Sequence, residues 1–215
     1  MEIIFSDRDI VVAKKEAGML SQSDENRRES ILSLLSEKLS SPIYPVHRLD
    51  RETAGVMVFA KNEKAAAALS LAIQENKFQK EYLALITKKP EETEGQMEDL
   101  LFFDRQKRKV FPVKRERKGV KKALLSYELI KEKDTLFLVR VRPVTGRTHQ
   151  IRVQFASRKM PLYGDRKYGG QGEALGLFCT KLTFPHPKSG ETLSFSLLPG
   201  GEAPWPLIFA DNETI

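Results

Sequence analysis

The sequence contains 215 residues, of which 40% are hydrophobic and 30% are charged, and its formal net charge is +7. This composition supports a sizeable core, and we expect a single domain over residues 1–215. Charged residues interrupt the first ten positions, which excludes a signal-peptide apolar region there, and the longest apolar run, 54–60, is far too short to cross a bilayer. The single cysteine, Cys179, excludes an internal disulfide framework, so we expect a cytoplasmic protein with no membrane segment.

The predicted elements are short strands with a few helices between them. Asn62 provides an N-cap for an alanine-rich helix of high propensity. In chain order, the sequence predicts a strand at 10–13, a helix at 28–39, a strand at 53–61, a helix at 63–76, strands at 81–87, 126–130 and 136–144, a helix at 148–158, and strands at 177–184 and 192–197. Because hairpin-like strand pairs dominate, the pattern indicates an α+β fold on a mixed, mainly antiparallel sheet with flanking helices.

The positive charge is concentrated in one segment, 105–122. It contains ten lysines and arginines and one glutamate, so its net charge is +9 and that of the remaining chain is −2. Such a segment is the electrostatic footprint of a polyanion, usually a nucleic acid, although an isolated charge run is more often a solvated loop. Val110, Phe111 and Val113 lie inside the run, and the strand-like 123–130 follows it. This pattern favours a charged hairpin.

Several common chemistries have no support in the sequence. The three histidines and one cysteine show no HExxH or CxxC spacing, so we expect no metal site. No GxGxxG follows a strand, and neither a Walker lysine motif nor a GxSxG nucleophile elbow occurs. The string 47–50, HRLD, resembles a kinase catalytic loop, but the glycine-rich loop and the DFG of kinases are absent. We therefore expect an activity that needs no metal, nucleotide or redox cofactor.

Two polar clusters lie between apolar stretches, at 47–55 and 145–152. Aspartates and arginines beside buried strands are usually held in pairs, because an isolated buried charge costs free energy. An ordinary salt bridge at a sheet edge and a functional site fit these residues equally well on composition alone.

Longer strings around both clusters resemble one enzyme family. The string HRLDRETAGVMVFAK, 47–61, resembles the active-site motif of the RluA-type pseudouridine synthases, HRLDxxTSGLLVFAK. The string TGRTHQIRVQFA, 145–156, is similar to that family's TGRTHQIRVHxA motif, and KEYLA, 80–84, is similar to its KxYxA motif. Weaker matches extend the resemblance over about 10–200, in the family's order. The chain resembles a short form of the family, without the S4-like RNA-binding domain of many relatives.

The resemblance implies an RNA pseudouridine synthase that isomerises a uridine in ribosomal or transfer RNA, acting as a monomer without an obligate protein partner. Asp50 matches the catalytic carboxylate, and Tyr82 matches the tyrosine that lies against the target base. Arg152 is the expected cationic partner that keeps Asp50 ionised and oriented. The target base would have to be flipped out of its stack to reach the carboxylate.

Further residues are expected to bind RNA. Without an S4-like domain, RNA capture would fall to the catalytic domain, and the segment 105–122 is the main candidate. The expected RNA-binding residues are His47, Arg48, Lys80, Arg147, Arg108, Lys109, Arg115 and Arg117. The departures from the family pattern are Lys15-Glu16 in place of a proline, Ala54 in place of Ser, Gln154 in place of His, and Phe178 in place of His. None of these departures replaces the carboxylate, so we expect them to bear on substrate choice more than on chemistry.

Two other functions and two reaction paths stay open at this point. A non-catalytic RNA-binding module would have no use for Asp50 facing a phosphate backbone. A glycosidase-like hydrolase would need a second catalytic carboxylate, for which Glu52 is the nearest candidate, at a position that varies in the family pattern. For the synthase itself, a covalent adduct at C1′ and a glycal formed by loss of a ribose proton both require an ionised Asp50.

Overall fold

The computed structural model describes residues 1–23 and 29–209. In chain order, its main elements are β1 (Glu2–Ser6), β2 (Ile10–Lys15), α1 (Ile31–Lys38), β3 (Tyr44–Pro45), β4 (Ala54–Ala60), α2 (Glu63–Gln74), β5 (Gln79–Ile86), β6 (Glu94–Asp104), β7 (Lys109–Val113), β8 (Val120–Lys133), β9 (Leu136–Pro143), α3 (Gln150–Ser157), β10 (Leu177–Pro185) and β11 (Thr192–Ser196). Two compact units divide the chain: Met1–Lys80 with Cys179–Leu198, and Glu81–Phe178 with Pro199–Ile215.

The first unit is built around β4, whose seven residues are all buried. β2 pairs with β4 antiparallel, from Ile10 opposite Ala60 to Lys15 opposite Gly55. The short strand β3 also pairs with β4, at the Ala60 end. β1 extends the sheet beyond β2, and β11 pairs with β10. Gly55 has φ +130°, and a Cβ there would lie 2.3 Å from the carbonyl oxygen of Cys179. Glycine is therefore required where β4 approaches Cys179.

The helices of the first unit begin at well-formed caps. Asn62 accepts a hydrogen bond from the backbone N–H of Ala65 at 2.9 Å, which satisfies a donor that the first turn of α2 leaves without a partner. The residues of α2 that are buried, Ala65, Leu69 and Ala72, recur at helical spacing on the face toward the sheet. Ser30 and Ser33 form a reciprocal capping box at the start of α1.

The second unit is an antiparallel sheet in the order β5-β9-β8-β6-β7. β6 lies between β8 and β7 and pairs with both. Helix α3 packs on β6 and β7, where Val153 joins a small cluster with Leu101, Val110 and Ala123. The basic strand β7 is therefore fixed to the helix that carries the QIR string.

The structure confirms the α+β class and most of the predicted elements. The helix predicted at 28–39 is Ile31–Lys38, with residue 28 outside the described part of the chain, and the one predicted at 148–158 is Gln150–Ser157. The charged hairpin exists, but β7 pairs with β6, which precedes it, and not with β8. The sequence did not predict β1, β6 or the two-residue strand β3. In the described ranges 1–23 and 29–209, no helix is long and apolar enough to cross a membrane.

Candidate active site

Asp50 lies in a turn that leads directly into β4. The turn is closed by the backbone N–H of Thr53, which donates to the Asp50 carbonyl oxygen at 3.1 Å. On one side, the Ser21 hydroxyl donates to the carbonyl of Leu49 at 2.8 Å and accepts from the N–H of Leu49 at 3.1 Å. On the other side, Arg51 exchanges two hydrogen bonds of 2.9 Å with the backbone of Gly18. The loop that follows β2 therefore fixes the chain both before and after the half-buried Asp50.

A fully buried lysine lies behind this turn. The ammonium group of Lys15, at the end of β2, donates to the carbonyl oxygens of Glu16, Met19 and Arg51 at 2.9, 2.8 and 3.0 Å. Burial lowers the pKa of Lys15 to about 8, although the carboxylates of Glu52, Asp50 and Glu16 act to raise it.

His47 is a buried residue of the first unit, and its contacts favour a packing role. Its Nε2 accepts a hydrogen bond from the N–H of Val58 at 3.2 Å, and its ring lies 5.3 Å from that of Phe78. Because Nε2 is the acceptor, the proton of the neutral ring is on Nδ1. Burial, together with the charge of Lys80, holds the pKa of His47 well below its ordinary value. His47 is therefore neutral at physiological pH and offers no charge to a phosphate.

Lys80 and Arg48 differ in exposure. Lys80 is half-buried, and its ammonium group lies 5.6 Å from the centroid of the Phe78 ring. Burial lowers the pKa of Lys80 from its ordinary value. Arg48 is exposed, so its guanidinium is accessible to a large polyanion without any rearrangement of the core.

In the second unit, Arg152 forms a two-pronged ion pair with Asp165. Nε and Nη2 of Arg152 donate to the two carboxylate oxygens at 2.7 and 2.8 Å, and the side chains are 8% and 0% exposed. The carbonyl of Asp165 accepts from the N–H groups of Tyr168 and Gly170, which fixes the loop that carries the carboxylate. Sequence reasoning missed this partner, although the segment GDRKYG, 164–169, is one of the weaker matches to the family pattern.

Tyr168 connects α3 to the basic strand. Its hydroxyl accepts a hydrogen bond from the N–H of Val110 at 3.0 Å and is hydrogen-bonded to Nδ1 of His149 at 2.8 Å. The ring lies 5.4 Å from the guanidinium carbon of Arg152. His149 precedes α3 in the left-handed conformation, with φ +52°. One side chain thus joins Arg152, the start of α3 and β7. Tyr82, in the same unit, is 8% exposed on β5.

Cations of the basic segment lie against aromatic rings. Lys109 is 5.0 Å from the centroid of Tyr168 and 5.8 Å from that of Phe111, and Arg117 is 4.6 Å from that of Phe102. Arg108 and Arg115 are exposed. Arg147, also exposed, donates through Nε to the Lys122 carbonyl at 2.9 Å. The segment is a structured surface with its charges outward. Within the described residues, no group of three or more His, Cys, Asp or Glu side chains is arranged to hold a metal ion.

Comparison with solved structures identifies the class of fold. A human protein, RNA Pseudouridylate Synthase Domain Containing 4, superposes with a TM-score of 0.78 over 93% of this chain and 89% of that chain, at 22% sequence identity. At this identity the match concerns the fold alone. The chain has the pseudouridylate synthase fold.

Comparison of sequences identifies the family. The model of the RNA pseudouridylate synthase family matches residues 9–157. An uncharacterized RNA pseudouridine synthase of Aquifex aeolicus is 36% identical over 220 residues, which cover 92% of this chain and 69% of the relative. The dual-specificity RNA pseudouridine synthase RluA of Vibrio parahaemolyticus is 33% identical over 198 residues, covering 87% of this chain and 79% of the relative. The chain belongs to the RNA pseudouridine synthase family, as an RluA-type isomerase that acts on RNA.

Proposed function

We propose that this enzyme isomerises a specific uridine of ribosomal or transfer RNA, with Asp50 as its catalytic carboxylate. The observation that carries the proposal is the turn of Asp50, which is hydrogen-bonded on both sides and continues into the fully buried strand β4. A carboxylate held in this way meets the main requirement of a nucleophile or base, which is a fixed position relative to the substrate. One relative is named as a dual-specificity enzyme, so similarity to it does not favour one class of RNA over the other.

The reaction needs no external reactant. The N1–C1′ bond of uridine breaks, the base turns, the C5–C1′ bond forms, and the proton leaves C5 while N1 gains one. Asp50 assists either by attacking C1′, which gives a covalent adduct, or by removing a ribose proton, which gives a glycal. Both paths need the ionised carboxylate. We expect neither a metal nor an organic cofactor.

We propose that Tyr82 and Arg152 act on the same nucleotide as Asp50. Tyr82 would stack on the flipped base and offer its hydroxyl for a hydrogen bond. Arg152 would be the cationic partner of Asp50, with Asp165 fixing the guanidinium in one orientation through two parallel hydrogen bonds. This proposal makes the two units a single catalytic domain.

We propose that RNA is captured by exposed cations. Arg48 and Arg147 would hold the target nucleotide, and the segment 105–122 would bind the flanking backbone, through Arg108, Lys109, Arg115 and Arg117. Lys80 would contribute only through the part of its side chain that stays accessible, and the burial of His47 argues against a phosphate contact by that residue. We propose a cytoplasmic monomer without an obligate protein partner.

The test replaces Asp50 with Asn, which keeps the size of the side chain but can neither attack nor accept a proton. Pseudouridine is quantified by mass spectrometry after incubation with total RNA from cells that lack the enzyme. We expect the rate to fall below about 1% of wild type, with RNA affinity unchanged.

The matched control is Glu52→Gln, which removes a carboxylate from an exposed position in the same turn. It should keep nearly full activity. Activity of the Asp50→Asn variant within tenfold of wild type would remove Asp50 from its proposed role. Mapping the pseudouridines that are missing from the same cells identifies the RNA and the position.

A further inference from the structure

Lys15 is a lysine with no exposed surface, at the end of β2. Lysines are almost never fully buried unless the ammonium group has partners, because removing the charge from water is costly. The family pattern implies no role for this position, where Lys15-Glu16 replaces the usual proline. The reason for burying this charge therefore has to come from its contacts.

All three donors of the ammonium group end on main-chain carbonyl oxygens. Two acceptors, Glu16 and Met19, belong to the loop after β2, and the third is Arg51, the residue that follows Asp50. An ammonium group has three N–H donors, whereas a neutral amine has two. The complete set of contacts thus exists only while Lys15 is protonated.

We propose that Lys15 is a positioning residue for Asp50, because its ammonium group ties the turn that carries Asp50 to the loop after β2 and places a positive charge behind the carboxylate. This inference rests on the proposed role of Asp50. Glu52 and Asp50 are the nearby carboxylates that act most strongly on Lys15, with Glu16 third. The attraction is mutual, so the ammonium group also helps to hold the Asp50 carboxylate in one position.

The proton on Lys15 has opposite effects on activity and on stability. With a pKa of about 8 in the fold and an ordinary value of 10.5, Lys15 loses its proton in the folded protein first. Between about pH 8 and 10.5 the unfolded chain therefore binds more protons than the folded protein does, and the free energy of unfolding rises with pH. Activity should instead fall through pH 8, because the turn of Asp50 loses one hydrogen bond and the charge behind it.

The experiment compares Lys15→Met with Lys14→Met. Methionine keeps the length of the buried side chain without donors or charge. Lys14 is the preceding residue of β2, where successive side chains point to opposite faces, and it pairs with Glu16 at 3.4 Å, so its replacement removes one positive charge from the same strand. Single-turnover rates at saturating RNA are measured from pH 6 to 9.5, and the free energy of unfolding is measured over the same range.

At pH 7, Lys15→Met should lower the rate by about 10²-fold, since a small displacement of a catalytic group costs about that much, and RNA affinity should stay within a few-fold. Wild type and Lys14→Met should share an alkaline decline near pH 8 that Lys15→Met lacks, a comparison that also controls for titration of uridine. The wild type should gain stability relative to Lys15→Met above that pH.

Three outcomes would overturn the proposal: a rate for Lys15→Met within threefold of wild type, an unchanged alkaline decline in that variant, or activity that simply follows stability. If Lys15→Met does not fold, the wild type decides, because nuclear magnetic resonance titration of the Lys15 ammonium must match the alkaline decline in rate. The Asp50→Asn variant is measured in parallel. If that variant is inactive and Lys15→Met is normal, the role of Lys15 is wrong while the proposed function stands; if Asp50→Asn is active, the proposed function itself is wrong.

Discussion

Asp165 changes what is expected of Arg152, which the sequence paired only with Asp50. The side chain of Asp165 has no exposed surface, and its negative charge is balanced by the guanidinium of Arg152. Removing one partner of a buried ion pair leaves the other charge uncompensated, which typically costs about 3–5 kcal/mol. The simplest substitution at Arg152 therefore combines a stability defect with any defect in catalysis.

We predict that Arg152→Ala lowers the free energy of unfolding by about 3–5 kcal/mol and also lowers the single-turnover rate strongly. Arg152→Lys should rescue both only in part, because an ammonium keeps the charge but loses the planar two-pronged contact with Asp165. Urea unfolding and single-turnover assays at saturating RNA provide the two measurements.

The matched control is the double variant Arg152→Met with Asp165→Leu, which removes both charges. It should recover stability, since an apolar pair of similar volume often replaces a buried ion pair without loss. It should not recover activity. Near-normal turnover in a stable double variant would mean that Arg152 is not needed for the chemistry.

His47 makes stability depend on pH below neutrality. Its pKa in the fold is well below the ordinary 6.5, because burial and the charge of Lys80 oppose protonation. As pH falls below 6.5 the unfolded chain takes up a proton that the folded chain does not, so the fold loses about 1.4 kcal/mol per pH unit until the pKa in the fold is reached.

We predict that this acid-induced loss between pH 6.5 and 5 is present in wild type and absent from His47→Gln, when both are measured by urea unfolding. The glutamine variant should be less stable at pH 7, since it loses the ring contact with Phe78, and the gap should narrow in acid. A gap that stays constant over this range would show that His47 is protonated in the fold.

The two residues that sequence reasoning missed have a common physical origin. Lys15 stands beside another lysine and a glutamate, a composition typical of an exposed turn, and its burial follows only from three carbonyl groups that the fold brings together. Asp165 lies in a segment that resembles the family pattern, yet its pairing with Arg152 spans 13 positions in sequence. Contacts of this kind are tertiary and have no local signal.

Among the elements, those with local signals were predicted best. Helix α2 was expected from Asn62 and a run of alanines, and the structure has the same cap and the same first residue. Strand β4 was expected from an uninterrupted apolar run. Strand β6 was missed because only Met97 and Leu101 of its eleven residues are buried. A strand with so little core contact has no regular alternation for a sequence pattern to detect.

We predict that neutralising Arg108, Lys109, Arg115 and Arg117 together weakens RNA binding far more than it slows turnover of bound RNA, because these side chains would contact phosphates and not the target base. Each phosphate interaction that the substitutions remove should flatten the slope of log affinity against log salt by roughly 0.7 to 0.9.

A control variant with the same total charge neutralises four exposed lysines outside the segment. These are Lys38, Lys64, Lys77 and Lys181. Its salt slope should match that of wild type when both are measured by fluorescence anisotropy on the same RNA. Equal salt slopes for all three proteins would indicate that the segment is a solvated surface that does not contact RNA phosphates.

For the molecule as a whole, the sequence identified the fold class and the family, because two long strings carry both. The partner of Arg152 and the strand pairing of the basic hairpin could be identified only from the structure. The pairing of β7 with β6, for example, depends on a strand that the sequence did not indicate. The direct partner of a strand is set by register and packing across the sheet, which composition does not reveal.

We predict that metal removal leaves the activity of the whole enzyme unchanged. Treatment with a chelator followed by desalting should keep the single-turnover rate close to that of the untreated enzyme, assayed on RNA folded beforehand under identical ionic conditions. A loss that one added divalent ion restores, with RNA structure held constant, would overturn the expectation of cofactor-free chemistry.

Aromatic rings lie beneath several cations of the basic segment. Free lysine and arginine side chains lose up to about 2 kcal/mol of rotamer entropy when a ligand immobilises them. Lys107, Lys109 and Arg117 lie against Phe111, Tyr168 and Phe102. If the segment binds RNA as proposed, these ring contacts would reduce the ordering that binding requires, and the cations would fit best those phosphates that match their spacing. We then expect the segment to discriminate between RNAs by the spacing of their phosphates more than a flexible basic tail would.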